Sequence, residues 1–186
     1  MKQLFELGCT YSSQLLSLTK LLGQLQDAGN VTTLASYLEL LKQGNLLRGL
    51  SKYAQDEARK RQSVPKFAVY NNAFLTALHG KGLEIDGTDS VVWGRWVESA
   101  VGVYLLDFVE ENDGSLYYWR NGDDEVDYIV TMDGETIAIE VKSGRRSMNS
   151  GLPAFAQKYH PKRSVVVGTD GLDLETFFTC NIENIF

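Results

Sequence analysis

A chain of 186 residues has room for one large domain or two small ones, and it can bury a core without disulfides or a structural metal. Cys9, Cys180, His79 and His160 lie far apart in the sequence, which argues against a structural zinc site and predicts reduced, structural thiols. No apolar run approaches the length of a membrane helix, and the opening residues lack the apolar stretch and cleavage site of a secretory leader, so a cytoplasmic protein with no membrane contact is expected. The net charge of -6 is uneven: residues 1–70 hold nine Lys/Arg and five Asp/Glu, residues 71–186 nine and nineteen. A basic front is compatible with nucleic acid contact. An acidic remainder suits either a carboxylate cluster that binds a divalent cation or ordinary solvated surface.

Residues 5–13 read as a helix. Over residues 14–28, Leu15, Leu18, Leu22 and Leu25 recur at spacings of three and four, the pattern of a second helix with one buried face, which Gly29 ends. Asn30 or Thr32 can cap a third helix running through Leu34, Tyr37, Leu38 and Leu41 to Gly44. Residues 46–50 and 66–70 read as strands flanking a polar stretch whose centre, Arg59-Lys60-Arg61, is basic. Three helices and a two-stranded wing with a basic tip make a winged-helix-like domain, in which the third helix and the wing touch DNA. The same elements also serve as a support domain that only packs against its neighbour, and both readings stay open.

Residues 81–90 are glycine-rich and acidic, and read as the loop dividing a domain at 1–80 from a second at 81–186. Next, Trp93, Trp96, Val97, Ala100, Val101, Tyr104, Leu105 and Phe108 follow the helical i, i+3, i+4, i+7 pattern without a break. Strands are predicted over 116–120, 126–131 and 136–142. Asn149 or Ser150 can cap a helix through Phe155 to Tyr159, with Pro153 in its first turn. Residues 163–168, RSVVVG, read as a strand buried on both faces, and the strand–helix–strand step implies a parallel, right-handed crossover. The fold class expected is α+β to α/β.

Asp133-Gly134 is a strong signal for a two-residue type I′ turn. Such a turn pairs Val130 with Ile137, Tyr128 with Ile139, Asp127 with Glu140 and Glu125 with Lys142. Val126, Tyr128, Val130, Ile137, Ile139 and Val141 then form the core face, and Glu125, Asp127, Ile129, Ala138, Glu140 and Lys142 the other. Asp127 and Glu140 face each other with Cβ atoms roughly 4.5–5.5 Å apart. Like charges so placed are relieved by a raised pKa or by a cation, and an oxygen-only donor pair suits Mg²⁺ or Mn²⁺. Lys142, on the same face, can steer the attacking water or neutralise charge growing on a phosphate. Glu98 lies beside the apolar stripe of its helix, about 20° from Leu105 at about 100° per residue, and can reach the sheet as a third carboxylate. The alternative is a mixed-charge exposed face, with Glu125 and Lys142 an ordinary cross-strand pair.

Glu98 on a helix, Asp127 on a strand and Glu140-Val141-Lys142 on the next resemble the PD-(D/E)xK nuclease superfamily, whose αβββαβ core has the predicted order. Val126 stands where that motif often has proline. Gln157 and Tyr159 resemble the Gln/Tyr helix motif of RecB-like members, at a different spacing. Over nearly the whole chain, KLLGQLQDAGNVTTLASYLELLKQGNLLRGL, KFAVYNNAFLTAL, GRWVESAVGVYLL and EVDYIV…IAIEVKSG resemble the C-terminal half of bacterial and archaeal AAA-type ATPases, where a domain of unknown function follows the ATPase module.

The resemblance implies a winged-helix-like front end and a restriction-endonuclease-like αβββαβ core with its acidic site retained. No GxxxxGK[ST] loop occurs, so a fragment lacking its N-terminal ATPase module is expected, with no ATP hydrolysis of its own. The leading expectation is a Mg²⁺- or Mn²⁺-dependent nuclease domain acting on DNA. Asp127, Glu140 and the Val141 carbonyl would ligate the metal, Glu98 would bind a second metal or hold a metal water, and Lys142 would activate the nucleophilic water. Arg145, Arg146, Lys158 and Arg163 lie downstream, where they can contact phosphates. The alternatives are a catalytically silent module that binds DNA or couples the ATPase to a partner, and a duplex reader that acts without metal through the front domain.

Overall fold

The structure, a computed structural model, describes residues 1–26, 29–56, 58, 60, 62–79, 90–144, 150–180 and 182–185. Of the expected loop over 81–90, residues 81–89 lie outside them while Ser90 begins a helix, and Arg59, Arg61, Arg145, Arg146 and Asn149 also lie outside them. The elements are α1 (Lys2–Thr10), α2 (Leu18–Leu22), α3 (Val31–Gln43), β1 (Leu47–Leu50), β2 (Lys66–Val69), α4 (Ala73–His79), α5 (Ser90–Glu111), β3 (Ser115–Asn121), β4 (Asp124–Met132), β5 (Glu135–Lys142), α6 (Leu152–Tyr159), β6 (Arg163–Gly168), α7 (Leu174–Thr179) and a 3₁₀ turn (Ile182–Ile185). The fold is mixed α+β. Among the described residues no helix is long and apolar enough to cross a membrane.

The front part departs from its expected helix over 14–28. Ser13 takes a left-handed φ of 63°, and the chain then runs beside β2. Ser13 N donates to Phe67 O at 2.8 Å, Phe67 N to Gln14 O at 3.0 Å and Leu16 N to Pro65 O at 3.2 Å. Pairing with β2 thus overrides the leucine periodicity, and only the short α2 remains, capped by Ser17 through Lys20 N. The third helix forms as expected, with Asn30 Oδ1 accepting from Thr33 N at 2.9 Å. β1 and β2 pair antiparallel, Leu47 with Val69 and Leu50 with Lys66. The loop joining them is folded back on β3: Tyr118 donates its hydroxyl to Val64 O at 2.5 Å, and Tyr53 N donates to Tyr118 O at 2.6 Å. The helix α4 over Ala73–His79 was unforeseen.

Residues 90–185 supply the order α5, β3, β4, β5, α6, β6, with a four-stranded sheet ordered β3-β4-β5-β6. Its first three strands are antiparallel, and β6 runs parallel to β5 after crossing over through α6. The β4–β5 turn forms as the sequence demands: Asp133 and Gly134 have φ of 51° and 79°, both left-handed, as a type I′ turn requires. The register follows, with Val130 opposite Ile137 and Tyr128 opposite Ile139. Tyr128, Val130, Ile137 and Ile139 pack with Val101 and Leu105 of α5, while Ile129 and Ala138 face Phe155 of α6 and Trp119.

One face assignment needs correction. The β3–β4 register slips between Tyr117 and Trp119, leaving one extra residue in β4, so alternation reverses there and Val126 joins Ile129 on the α6 side. β6 is an edge strand: Val165 and Val167 meet the α5-side core and Val166 the α6-side core, so both faces are covered, but only Val167 is fully buried.

α5 lies between the two parts of the molecule. Leu50 and Ala68 of the front share one core with Val101, Leu105 and Tyr128, while Trp96 and Val103 pack into the other core beside Leu34, Phe67 and Val69. Gly102 on α5 permits its closest approach to the sheet, since a Cβ there would stand 2.4 Å from the Tyr128 hydroxyl. That hydroxyl donates to Glu98 O at 2.9 Å. Gly102→Ala is therefore expected to destabilise by about 1–3 kcal/mol through overpacking, against the gain of about 1 kcal/mol that alanine brings to a helix interior. Urea unfolding measures it, and an unchanged midpoint would contradict the packing described.

Candidate carboxylate–lysine site

Glu98 from α5, Asp127 from β4 and Glu140, Val141 and Lys142 from β5 line one cleft of about 180 Å³. Asp123 from the β3–β4 turn, Asp124 and Glu125 from the start of β4, and Ser150 ahead of α6 line the same cleft. The sequence-selected residues are thus brought together, by a route that differs in one respect. The last β4–β5 pair is Tyr128 with Ile139, so Asp127 and Glu140 are not a ladder pair. The strands part at the β4 irregularity, and the Asp127 side chain bridges the opening: its Oδ2 accepts from Val141 N at 2.8 Å.

Glu140 is only 4 % exposed, which does not fit an ordinary solvated face. Its Oε1 accepts from Lys142 Nζ at 2.6 Å and its Oε2 from Ser150 Oγ at 3.2 Å. Burial raises its pKa, opposed by the Lys142 hydrogen bond and reinforced by the Asp127 charge. Ser150 Oγ also accepts from Leu152 N, tying the first turn of α6 to the site.

Sequence reasoning missed Lys66. Its side chain is 1 % exposed, and from β2 its ammonium reaches three of the carboxylates that line the cleft from behind, without lining the cleft itself. Nζ lies 2.5 Å from Glu98 Oε1, 3.2 Å from Asp127 O, 3.5 Å from Asp127 Oδ1 and 3.9 Å from Glu125 Oε1. It also lies 5.0 Å from the centre of the Tyr128 ring, within cation–π range. The contact with Glu98 is a close ion pair, and Oε1 is buried with no further partner among the described residues. Burial acts to lower the Lys66 pKa, but Glu98 and Asp127 outweigh it and hold the ammonium charged. Burial pushes the Glu98 carboxyl up to about 7, with Lys66 pulling it down and Asp127 raising it. A signal was present: alternation in Lys66-Phe67-Ala68-Val69 puts Lys66 on the face of Ala68, toward α5 and the sheet.

The donors are all oxygens, which suits a hard divalent cation. Among the described residues no three of His, Cys, Asp and Glu converge as a metal cage. Asp127 and Glu140 are the two residues that would hold a hydrated ion, since Mg²⁺ retains several waters and needs only one or two carboxylates. Glu98 is turned to Lys66 instead.

Lys158 is exposed with Nζ 5.1 Å from the Tyr159 ring centre, and Arg163 is exposed at the head of β6. Gln157 is exposed, and Tyr159 stacks edge-on with Tyr53 at 5.1 Å, so neither lines the cleft. Across the β3–β4 turn, a groove of about 580 Å³ is lined by Lys52, Arg120 and Lys158 with Tyr53 and Tyr159. Lys60, from the basic tip, places Nζ 5.2 Å from the Tyr117 ring centre.

Residues 93–182 match the family described as Domain of unknown function (DUF4143), and residues 1–86 match Domain of unknown function (DUF8612). Glu98, Asp127, Glu140 and Lys142 lie within the first match and Lys66 within the second. No curated protein matches the chain. Among solved structures, protein VC1899 from Vibrio cholerae is similar at 17% identity over 89% of this chain and 46% of that one, with a TM-score of 0.28. This chain thus spans a little under half the length of that protein, and so low a structural score carries no argument about fold or function.

Proposed function

We propose that this chain is a PD-(D/E)xK-type nuclease module with a winged-helix-like front part, acting on DNA with one bound Mg²⁺ or Mn²⁺. The observation that carries the reading is the convergence of Asp127, Glu140 and Lys142 on one cleft, with Glu140 kept there as a buried carboxylate. The element order α5-β3-β4-β5-α6-β6 agrees with it. The groove with Lys52, Arg120 and Lys158 adjoins the cleft across the β3–β4 turn and offers a path for a phosphate backbone. From the sequence likeness, the module works as the C-terminal part of an AAA-type ATPase.

Bound between Asp127 and Glu140, the cation would offset phosphate charge and acidify a water. The protein's own groups do the positioning. Val141 N–H holds the Asp127 carboxylate in place, and Ser150 Oγ holds that of Glu140. Lys142 Nζ, at Glu140 Oε1, is placed to hold the attacking water or a non-bridging phosphate oxygen as negative charge grows. Glu98 stays on Lys66 and keeps Asp127's neighbour neutralised.

Purified protein incubated with plasmid and single-stranded DNA, with and without Mn²⁺, tests this. Cleavage that requires the cation supports the reading. A second reading, a silent module that binds DNA or couples the ATPase to a partner, is favoured by one feature: Lys66 and Lys142 already place an ammonium against each carboxylate. Salt-sensitive DNA binding, or none, without cleavage at any Mn²⁺ concentration selects it.

A further inference from the structure

We infer that Lys66 is a built-in cation occupying the place of a second metal ion, so that the cleft accepts a single divalent ion. This rests on the proposed metal-binding reading of the same cleft. Four oxygens from three residues surround Nζ: Glu98 Oε1, Asp127 O, Asp127 Oδ1 and Glu125 Oε1, at 2.5 to 3.9 Å. Such convergence of oxygens on one point is the surrounding of a bound cation, and here the cation is supplied by the chain.

The ammonium is tethered as well as caged. β2 is held on one edge by β1 and on the other by residues 13–16, through Phe67 N to Gln14 O and Ser13 N to Phe67 O. At 1 % exposure, with Nζ 5.0 Å from the Tyr128 ring centre, the Lys66 ammonium is enclosed by this packing. A divalent ion competing for Glu98 must displace a charge that cannot diffuse away. A second ion of a two-metal site would need carboxylate oxygens beside Asp127, and the ammonium already holds Asp127 Oδ1 and Glu98 Oε1. Lys66 therefore acts through Asp127 and Glu98 as a positioning residue, and Glu98 is withdrawn from metal ligation. The two matched regions, 1–86 and 93–182, build one site together.

The test is Mn²⁺ stoichiometry, by calorimetry and by electron paramagnetic resonance, on the full chain and on Lys66→Met and Lys66→Arg. The inference expects one Mn²⁺ per chain in the wild type and in Lys66→Arg, and two in Lys66→Met, with spin coupling between the pair. Two ions in the wild type overturn it, as does Lys66→Met binding the same single ion as the wild type. Should Lys66→Met fail to fold without Mn²⁺, its refolding on adding Mn²⁺ to a folded level supports the inference, and failure to refold at saturating Mn²⁺ overturns it. No ion in the wild type but one in Lys66→Met removes the proposed activity while sustaining the role of Lys66. No ion in either protein overturns both.

Discussion

Lys66→Met is expected to lower the stability of the metal-free protein by about 3–5 kcal/mol, the range found when one partner of a buried ion pair is removed. Methionine fills much of the space, so the loss comes from charge: Glu98 and Asp127 remain in the cleft without the ammonium that neutralised them. For a chain of this size roughly 2–4 °C of melting temperature is lost per kcal/mol, giving a drop on the order of 6–20 °C. The deficit is expected to depend on pH. Burial already raises the Glu98 carboxyl to about 7 with Lys66 present to pull it down, and without Lys66 it rises further. A carboxyl whose folded pKa exceeds its unfolded value, about 4.3, binds the proton more tightly when folded. Wild type and variant both lose stability on this account as pH climbs from that unfolded value to about 7, and above about 7 only the variant goes on losing it, so the deficit widens there and narrows as pH falls. Thermal unfolding at pH 5 and pH 8 reads this out, and an equal deficit at both, or none, would contradict the charge account.

Lys142→Ala is expected to reduce Mn²⁺-dependent DNA cleavage by about 10²–10³-fold, the effect of deleting one preorganised stabiliser of transition-state charge. Mn²⁺ affinity should not fall with it. Lys142 Nζ occupies Glu140 Oε1 at 2.6 Å, so its removal releases an oxygen that the ion can use. The pair is largely buried, with side chains 20 % and 6 % exposed, so removing Lys142 leaves the Glu140 carboxylate with Ser150 and also costs about 1–3 kcal/mol of metal-free stability. The expected signature is a fall in kcat with metal binding retained or tightened. A loss of metal binding that matches the loss of cleavage would make Lys142 structural, and unchanged cleavage would remove it from the chemistry.

Much of the site was legible because a single turn controls it. Asp133-Gly134 demands left-handed backbone at both positions, and once that turn forms, the β4–β5 register is arithmetic. The Trp93–Phe108 periodicity likewise placed Glu98 on a helix against the sheet. What escaped was non-local. The leucines over 14–28 have helical spacing, but backbone donors and acceptors of residues 13–16 pair with β2, a partner some fifty residues on that local periodicity does not register. The extra residue in β4 turned Val126 to the α6 side, because a bulge depends on the β3 partner and leaves no mark in the strand's own alternation. In the sequence, Lys66 is only the first residue of a strand. Its burial becomes expected only when Glu98 and Asp127 are seen to need a counter-charge.

Isothermal titration of Mn²⁺ into the wild-type chain and into Asp127→Asn tests the central claim most directly, since Asp127 meets both cations: Lys66 at Oδ1 and the proposed divalent ion. The account predicts one Mn²⁺ per wild-type chain and an affinity weakened by an order of magnitude or more in Asp127→Asn, roughly 1.4 kcal/mol or above. Equal Mn²⁺ binding by the two proteins, or no binding by the wild type, would contradict it.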